Sequence, residues 1–538
     1  MRQKVSDWAT RLNEKLLDVL VVGGGATGLG VAVQASLEGR RVVLVEARDF
    51  ACGTSSRSTK LLHGGVRYLA QGRVRLVREA LRERAVVLGL APHLAQALPF
   101  VVAERSWLSW AVTAIGLKLY QWLAGGLSLG PTQTLGHGAM RQLLATWPRI
   151  VAGVRYWDGQ FDDARLALAL AKTASAAGAQ LRNHTQVTGL DRHAQGWTVT
   201  LEDALTGERA QVHARCVVNA TGVWVDKVRA LVPSQPHDQQ VRGRPLVRPS
   251  QGVHLVVSRQ TLPLKEAVLV PRTADGRVLF AVPWLGATVI GTTDTPREDA
   301  PLEPRPLASE LQFLLEETRR TLGVKLSAEQ VQSVWVGLRP LVESGAENSR
   351  STAALSREHL ILREAAGFIT VTGGKWTTYR AMAEEVMGAL VAAGDLPTPG
   401  RKAHTAHHRL WSAPPEGSAA TSLKEAPGLH LLGSAAEEVS AMPGHSVQLG
   451  MGLTESLVRY SARHEWALTV EDMLARRWRA LFLDARIAQA MAPRVAQLLQ
   501  EETGQDPQLA QFLALCHQYR IDTHAAALKS DSRSPDDL

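Results

Sequence analysis

Short apolar runs alternate with a helical stretch near the start of the chain, between residues 18 and 46. The run at residues 19–22 has the length of a buried strand, and residues 29–37 have the pattern of a helix. A second apolar run at residues 42–45 predicts another strand, which ends on Glu46. The pattern therefore predicts a strand–helix–strand unit of an α/β domain.

Three glycines, Gly23, Gly25 and Gly28, occupy the turn between the first strand and the helix in a G-x-G-x-x-G pattern. Such glycines allow a tight turn, the approach of a pyrophosphate, and close packing of helix on strand. Glu46 follows Gly28 by 18 residues, where a carboxylate can accept hydrogen bonds from a ribose. An ordinary glycine-rich turn is the alternative, but the whole unit favours dinucleotide binding, with NAD and FAD both open.

Two further groups of elements follow. The first continues the nucleotide domain, with helices at residues 74–90, 162–178 and 375–392 and strands at residues 180–188, 197–202, 214–220 and 368–372. The second predicts an antiparallel sheet with a helix on its edge, formed by residues 251–258, 267–271, 277–283, 287–291 and 307–322. The turn at Thr221 and Gly222 is a second strand-to-glycine break, expected over the same dinucleotide.

We therefore predict an α/β plus α+β fold. A Rossmann-like nucleotide-binding domain carries an inserted, mainly antiparallel β-sheet substrate domain and a C-terminal helical cap domain. The expected boundaries are residues 17–105, 150–225 and 345–395 for the first domain, 106–149 and 226–344 for the second, and 400–530 for the third. Residues 401–444 are rich in Pro, Ser, Ala and His, and we expect them to be poorly defined.

The most lipophilic stretch spans residues 106–125 and carries three tryptophans and a single charge, on Lys118. It barely reaches the roughly 20 apolar residues that a membrane-spanning helix needs. Two interpretations stay open at this point. The helix lies in the headgroup plane of a membrane, or it packs inside the protein or in a dimer interface.

Composition narrows the class of protein. The 538 residues are 45% hydrophobic and 21% charged, which is typical of a globular chain. The net charge of +9 suits anionic substrates or an anionic membrane surface, and no basic block with interleaved aromatics indicates nucleic-acid binding. The three cysteines form no C-x-x-C pair, so neither a metal site nor a redox dithiol is predicted, and a reducing cytosol fits.

Several segments, in order along residues 18 to about 390, resemble the FAD-dependent (aerobic, respiratory) glycerol-3-phosphate dehydrogenases, within the D-amino acid oxidase-like flavoproteins. They are VVGGGATGLG, ACGTSSRSTKLLHGGVRYL, VNATGVW, GVHLVV, VGLRPL and TGGKWTTYR. The resemblance implies FAD and oxidation of sn-glycerol 3-phosphate to dihydroxyacetone phosphate by hydride transfer to FAD. It also implies a membrane quinone as the final acceptor.

The resemblance and the residues together predict where FAD binds, non-covalently. The expected contacts come from the glycine turn, the acid, a Ser/Thr-rich loop and two later strand ends. They are Gly23, Gly25, Gly28, Glu46, Thr54, Ser55, Ser56, Ala220, Thr221, Gly222 and Gly374.

Arginine is the expected ligand of the substrate phosphate, because its guanidinium matches two phosphate oxygens at once. Arg67 and Arg339 lie in motifs shared with the family and are the candidate clamps, and Tyr68 could add a hydroxyl donor. Lys375 is expected at a helix start facing the flavin, where its charge would favour an anionic ring or substrate oxygen. His254 is either the proton acceptor or simply a core histidine.

The predicted location is the cytoplasmic face of the cell membrane, as a peripheral protein, and a homodimer is compatible with the lipophilic helix. An FAD-dependent oxidase of glycerol 3-phosphate or an amine, using oxygen, is the alternative enzyme. A non-catalytic flavin-binding protein is the alternative from another class.

Overall fold

The computed structural model describes residues 3–69, 72–143, 147, 150–233, 245–342 and 359–524. Expectations for residues 345–358 and 525–530 therefore lie outside the described residues. The strands are β1 (Leu17–Val22), β2 (Val42–Val45), β3 (Leu61–Leu62), β4 (Ala95–Glu104), β5 (Gln133–Leu135), β6 (Ala152–Phe161), β7 (Gln180–Arg182), β8 (Thr185–His193), β9 (Gly196–Asp203), β10 (Arg209–Asn219), β11 (Val247–Ser258), β12 (Ala267–Val270), β13 (Leu279–Trp284), β14 (Ala287–Gly291), β15 (Thr295–Pro296), β16 (Val331–Val342), β17 (His359–Ala365), β18 (Phe368–Gly373), β19 (Gln448–Gly450) and β20 (Leu453–Thr454).

The α-helices are α1 (Val5–Leu12), α2 (Ala26–Leu37), α3 (Val66–Leu69), α4 (Val74–Leu90), α5 (Trp107–Ala124), α6 (His137–Leu143), α7 (Asp163–Ala176), α8 (Val225–Arg229), α9 (Ala308–Leu322), α10 (Tyr379–Ala392), α11 (Ala436–Ala441), α12 (Glu455–His464), α13 (Ala480–Leu483), α14 (Ala485–Thr503) and α15 (Leu509–Gln518). A π-helical turn, Asp472–Arg477, joins α12 to α13.

The first sheet is the nucleotide-binding sheet, with the strand order β17-β18-β10-β1-β2-β7. Strands β18 to β7 run parallel, and β9 extends the sheet as an antiparallel partner of β10. Val19 and Val21 pack with helices α2, α7 and α10, whereas Leu20 and Val22 pack in a separate core with α1. Successive side chains of a strand point to opposite faces, so β1 is buried on both. Helices on one face and parallel strands confirm the predicted Rossmann-like domain.

The second sheet has the order β15-β11-β14-β13-β12-β4-β6-β3, with β16 beside β11 and β5 beside β6. Its strand pairs are antiparallel except for β12 with β4, as the mainly antiparallel prediction requires. The expected boundaries need correction, because β3, β4 and β6 were placed in the nucleotide domain. Hydrogen bonding between distant strands, and not closeness to the glycine turn in sequence, decides their sheet.

The C-terminal helices α12 to α15 form a third core that also includes Trp284 and Trp335 of the second sheet. Residues 401–444, expected to be poorly defined, differ from the prediction. They contain little regular structure besides a 3₁₀ stretch, Leu429–Ala435, and helix α11. Nevertheless they pack against the body of the protein, with Leu410, Leu423 and Leu432 buried. A Pro-rich composition excludes long helices, but it does not prevent burial of the apolar side chains between the prolines.

Helix α5 confirms the helix expected within residues 106–125 and buries only Leu117, Tyr120 and Ala124. Its outer side carries a row of large apolar side chains with exposed fractions between 44% and 77%. They are Trp107, Leu108, Val112, Ile115, Leu119 and Trp122. Within the described part of the chain, no helix is both long and apolar enough to cross a membrane.

A buried ion pair joins the nucleotide domain to the C-terminal helices. Both guanidinium nitrogens of Arg165 on α7 donate to the Glu465 carboxylate, with N···O distances of 2.8 Å. Both side chains are almost fully buried. Burial opposes ionisation of Glu465, but the charge and hydrogen bonds of Arg165, together with the charge of Arg477 and the Ser461 hydroxyl, outweigh it and keep the pKa of that carboxyl below its usual value.

Replacing Glu465 with Gln should destabilise the protein, because Arg165 would keep its charge in a buried site without a countercharge. The expected loss is about 3–5 kcal/mol, the usual cost of removing one partner of a buried pair. The midpoint of urea unfolding, followed by circular dichroism, measures the effect. The control is Glu316→Gln, which removes an exposed pair with Arg319 and should leave the midpoint unchanged. Equal midpoints for both variants would contradict a stabilising role of the buried pair.

Candidate active site

The glycine turn allows helix α2 to lie directly on β1. A Cβ atom added at Gly28 would lie 1.9 Å from the carbonyl oxygen of Gly23, so any side chain there would force the helix away. Helix α2 begins at Ala26, and its N-cap, Gly25, supplies no side-chain cap. The N–H of Ala26 instead donates to the Ser55 hydroxyl at 2.9 Å. The positive end of the helix dipole faces the turn, where it suits a phosphate group.

A cavity of about 540 Å³ lies along this turn. It extends from the end of β1 to the ends of β2, β10 and β18, which are neighbouring strands of the parallel sheet. The predicted cofactor residues that line it are Gly23, Gly25, Glu46, Thr54, Ser55, Ala220, Thr221, Gly222 and Gly374. Ligands of open α/β sheets bind at this carboxyl end of the strands.

Glu46 closes one end of the cavity. Its carboxylate accepts hydrogen bonds from the N–H groups of Gly24, at 2.6 Å, and Arg48, at 2.9 Å. Burial raises the pKa of Glu46, and these two N–H groups oppose that rise. The carboxylate is thus fixed at the cavity wall, in the place where a ribose of a dinucleotide would meet it. The glycine turn leaves room for the pyrophosphate of FAD, and the Glu46 carboxylate can accept hydrogen bonds from its ribose, so the cavity fits FAD.

Two predicted cofactor residues lie elsewhere. Gly28 packs against Gly23 and does not line the cavity. Ser56 was predicted to contact FAD, but it is buried away from the cofactor cavity. It is 1% exposed, and its carbonyl oxygen accepts hydrogen bonds from Lys60 and Arg479. A short 3₁₀ turn, Thr54–Ser56, rotates Ser56 away from its neighbours, and such a turn could not be read from a run of hydroxyl residues.

A second, smaller cavity of about 240 Å³ adjoins the first. The residues common to both walls are Thr54, Pro340, Gly374, Lys375 and Trp376. The second cavity also contains the predicted residues Tyr68, His254 and Arg339. The structure therefore brings most of the predicted substrate residues together at one end of the cofactor cavity.

Arg339 is positioned by the long antiparallel pairing of β16 with β11, in which it lies opposite Ser250. Its Nη2 donates to the Thr293 carbonyl at 3.0 Å and to the Thr292 hydroxyl at 3.2 Å. Its Nη1 lies 3.3 Å from the Asp294 carboxylate. These contacts orient the guanidinium in the cavity wall, while its side chain keeps 28% exposure.

Lys375 requires a correction to its expected place at a helix start. It is the N-cap of a short 3₁₀ turn, Trp376–Thr378, and the α-helix begins only at Tyr379. Its Nζ lies 3.9 Å from the ring centroid of Tyr68, a cation–π contact. The ammonium group is therefore held by an aromatic face at the junction of the two cavities.

Arg67, the other candidate clamp, has its backbone in helix α3, but its side chain lies outside the described residues. His254 is 2% exposed and stacks on Trp335, with ring centroids 4.0 Å apart. Burial, and then the charges of Lys60 and Arg339, hold the pKa of His254 well below its usual value of 6.5. The imidazole is therefore neutral at physiological pH.

Sequence reasoning missed Lys60. Its Nζ is fully buried and donates to the Asp163 carboxylate and the Ser56 carbonyl, both at 2.7 Å. It also lies 4.6 Å from the ring centroid of Trp335. Burial lowers the pKa of Lys60 to about 7, against the opposing charge of Asp163. No local pattern around Lys60 indicates this position, because its carboxylate partner is more than a hundred residues away.

A third cavity, of about 570 Å³, lies between α5 and the second sheet. Its walls are mainly apolar and include Phe100, Val102, Leu117, Leu119 and Leu269. It shares five wall residues with the second cavity, namely Leu61, His63, Tyr68, Phe280 and Arg339. The three cavities thus adjoin one another in series.

Asp49, His184 and Asp472 form a cluster whose geometry could hold a metal ion. Arginine side chains already occupy it, since Arg476 contacts both carboxylates and Arg477 contacts Asp49. His184 lies 3.0 Å from Asp472. The cluster is therefore a buried charge network between the nucleotide domain and the C-terminal helices.

Comparisons with known proteins agree with this geometry. Residues 18–384 match the family model of FAD-dependent oxidoreductases, and residues 411–510 match the C-terminal domain of alpha-glycerophosphate oxidase. The second match includes most of the irregular stretch 401–444, which is thus part of a family domain.

The chain is 37% identical to a mitochondrial glycerol-3-phosphate dehydrogenase of Arabidopsis thaliana, over 90% of this chain and 83% of that protein. It is 36% identical to the human mitochondrial enzyme of that name, over 92% of this chain and 72% of that protein. The solved glycerol-3-phosphate dehydrogenase of Bacillus halodurans, complexed with FAD, has 27% identity and a TM-score of 0.73, and the match covers 95% of this chain and 97% of that one. The chain therefore belongs to the FAD-dependent glycerol-3-phosphate dehydrogenase family.

Proposed function

We propose that this protein oxidises sn-glycerol 3-phosphate to dihydroxyacetone phosphate and passes the electrons to a membrane quinone. The observation that carries the proposal is the junction of the first two cavities. A cavity that fits FAD adjoins a pocket with two cationic side chains, Arg339 and Lys375, and one neutral imidazole, His254. The names of the relatives add the identity of the substrate.

Bound FAD would supply the hydride acceptor for carbon 2 of the substrate. The chain then has three tasks, which are to hold the phosphate, to stabilise the oxygen that becomes carbonyl, and to accept the hydroxyl proton. Arg339 is suited to the phosphate because its fork can donate two parallel hydrogen bonds. Lys375, at the junction, is suited to the developing negative charge on the substrate oxygen. His254 is suited to the proton because its ring is neutral.

The electron acceptor is proposed from the third cavity. An apolar space beside the substrate pocket suits the ring of a quinone better than a small polar acceptor. Helix α5 forms part of its wall, and two residues of the exposed apolar row, Val112 and Leu119, also line the cavity. This helix is suited to lie in the headgroup region of a bilayer, with tryptophans at the interface, and the net charge of +9 favours anionic lipids. We therefore infer peripheral attachment to the cytoplasmic face of the membrane.

Replacing Arg339 with Ala should raise the KM for glycerol 3-phosphate about 10- to 100-fold, because one or two charge-assisted hydrogen bonds would be lost. FAD should remain bound, since Arg339 does not line the cofactor cavity. The rate of anaerobic bleaching of the flavin at increasing glycerol 3-phosphate measures the KM, and the flavin absorbance before mixing measures the bound FAD. Arg319→Ala, on the exposed side of α9, is the control and should behave as the original protein. An unchanged KM would remove Arg339 from phosphate binding.

The depressed pKa of His254 predicts the pH dependence of the chemical step. A base with a lowered pKa stays in its neutral, active form as the pH falls below 6.5, and loses activity only under more acidic conditions. The rate of flavin reduction at saturating substrate, measured by anaerobic stopped flow, should therefore stay level through pH 6.5. A midpoint at 6.5 or above would argue against His254 as the proton acceptor.

A double variant of α5, Leu108→Glu with Ile115→Glu, should separate the membrane role from the chemistry. Two charges on the exposed apolar row should abolish flotation with anionic liposomes and lower activity with a long-chain quinone in those liposomes. Activity with a short, water-soluble quinone should stay the same. Ile487→Glu, an exposed apolar position on α14, is the matched control. Unimpaired flotation of the double variant would refute attachment through α5.

The alternative of an oxidase makes a separate prediction. Stoichiometric formation of peroxide by the original protein would indicate that oxygen, and not a quinone, accepts the electrons.

A further inference from the structure

The hydroxyl of Thr59 lies beside His254 in the wall of the substrate pocket. Its Oγ1 is 3.0 Å from Nε2 of His254, within hydrogen-bonding distance. Thr59 lines the second cavity and is partly exposed, whereas His254 is 2% exposed. A hydroxyl of this chain therefore contacts the base at the wall of the cavity.

The rest of the imidazole ring is closely packed. One face stacks on Trp335. A Cβ atom at Gly291 would lie 2.3 Å from Cδ2 of the ring and 2.9 Å from Nε2, so the backbone of β14 lies against that edge. Nδ1 is buried, and it has no hydrogen-bond partner among the described residues. Among the described residues, Thr59 is thus the hydrogen-bond partner of the ring, and a proton can reach Nε2 through it.

The surrounding charges favour a ring that receives a proton only briefly. Lys60 lies beside Trp335, and Arg339 lies in the same cavity wall as His254. Arg339 is a cation, and Lys60 adds a second positive charge when it is protonated, so both disfavour a lasting imidazolium at this position. A hydroxyl that can both donate and accept suits the transfer into such a site and out again.

We propose that Thr59 relays the substrate proton to His254. This inference rests on the proposed function. As the hydride leaves carbon 2 for the flavin, Oγ1 of Thr59 accepts the proton of the substrate hydroxyl. Thr59 donates its own hydroxyl hydrogen to Nε2 of His254 in the same event. One proton enters and one leaves Oγ1, so the hydroxyl is regenerated, the histidine becomes imidazolium, and the substrate becomes a ketone.

The test compares Thr59→Val, which keeps the shape and removes the hydroxyl, with Thr59→Ser, which keeps the hydroxyl. Both are measured as FAD-loaded protein by anaerobic stopped flow with glycerol 3-phosphate. Thr59→Val should reduce its flavin about 100-fold more slowly at saturation, a typical loss for a missing proton-transfer group, with KM and FAD content nearly unchanged. Thr59→Ser should recover most of the rate. Thr59→Ala, a second hydroxyl-free variant, should match Thr59→Val if the valine variant folds poorly.

A structural role would give a different pattern. Loss of FAD, or a raised KM at an unchanged maximal rate, in both hydroxyl-free variants would refute the relay. So would a valine variant as fast as the original protein, or a serine variant as slow as the valine variant. Failure of glycerol 3-phosphate to bleach the original protein would instead refute the proposed function and remove the substrate proton that the relay requires.

Discussion

The close contact between Gly28 and Gly23 is the constraint on which the rest of the site depends. Helix α2 can touch the end of β1 only because no side chain lies between them. This contact directs the start of the helix into the cofactor cavity and leaves room along the turn for phosphates. Glu46 is then close enough to the turn for its carboxylate to bind the N–H of Gly24. A methyl group at position 28 would push helix α2 away from β1 and so disturb the turn and its contact with Glu46 at the same time.

The three adjoining cavities differ in the charge and polarity of the groups that line them. The first offers backbone N–H groups and a fixed carboxylate, and the second offers Arg339, Lys375 and a neutral His254. The third is mainly apolar. A phosphorylated polyol would gain the most binding free energy in the second cavity, where cations replace the water around its phosphate. A lipophilic electron acceptor would gain the most in the third. The cavity walls thus change from polar groups in the first two cavities to mainly apolar side chains in the third.

Local patterns predicted the local features well. The strand–glycine–helix unit and the helix α5 could be predicted because each depends on neighbouring residues. Arg339 was predicted from its family motif, whereas pairing with the distant strand β11 sets its position. The features that were wrong or missed depend on distant partners. The residues of β4 and β6 fell within the ranges expected for the nucleotide domain but pair in the second sheet, and Lys60 was overlooked because Asp163 reaches it only through the fold. The position of Lys375 depends on where a helix begins, which is the least certain feature of any sequence pattern.

The pairing of Asp49 with Arg476 and Arg477 has a consequence for how the chain folds. Asp49 lies three residues beyond Glu46, so the C-terminal arginines hold the segment that meets the ribose end of the cofactor cavity. A chain cut before the π-helical turn would leave a buried carboxylate without its countercharges. Binding of FAD and docking of the terminal helices should therefore be thermodynamically linked, although the terminal helices contribute no described residue to the cofactor cavity.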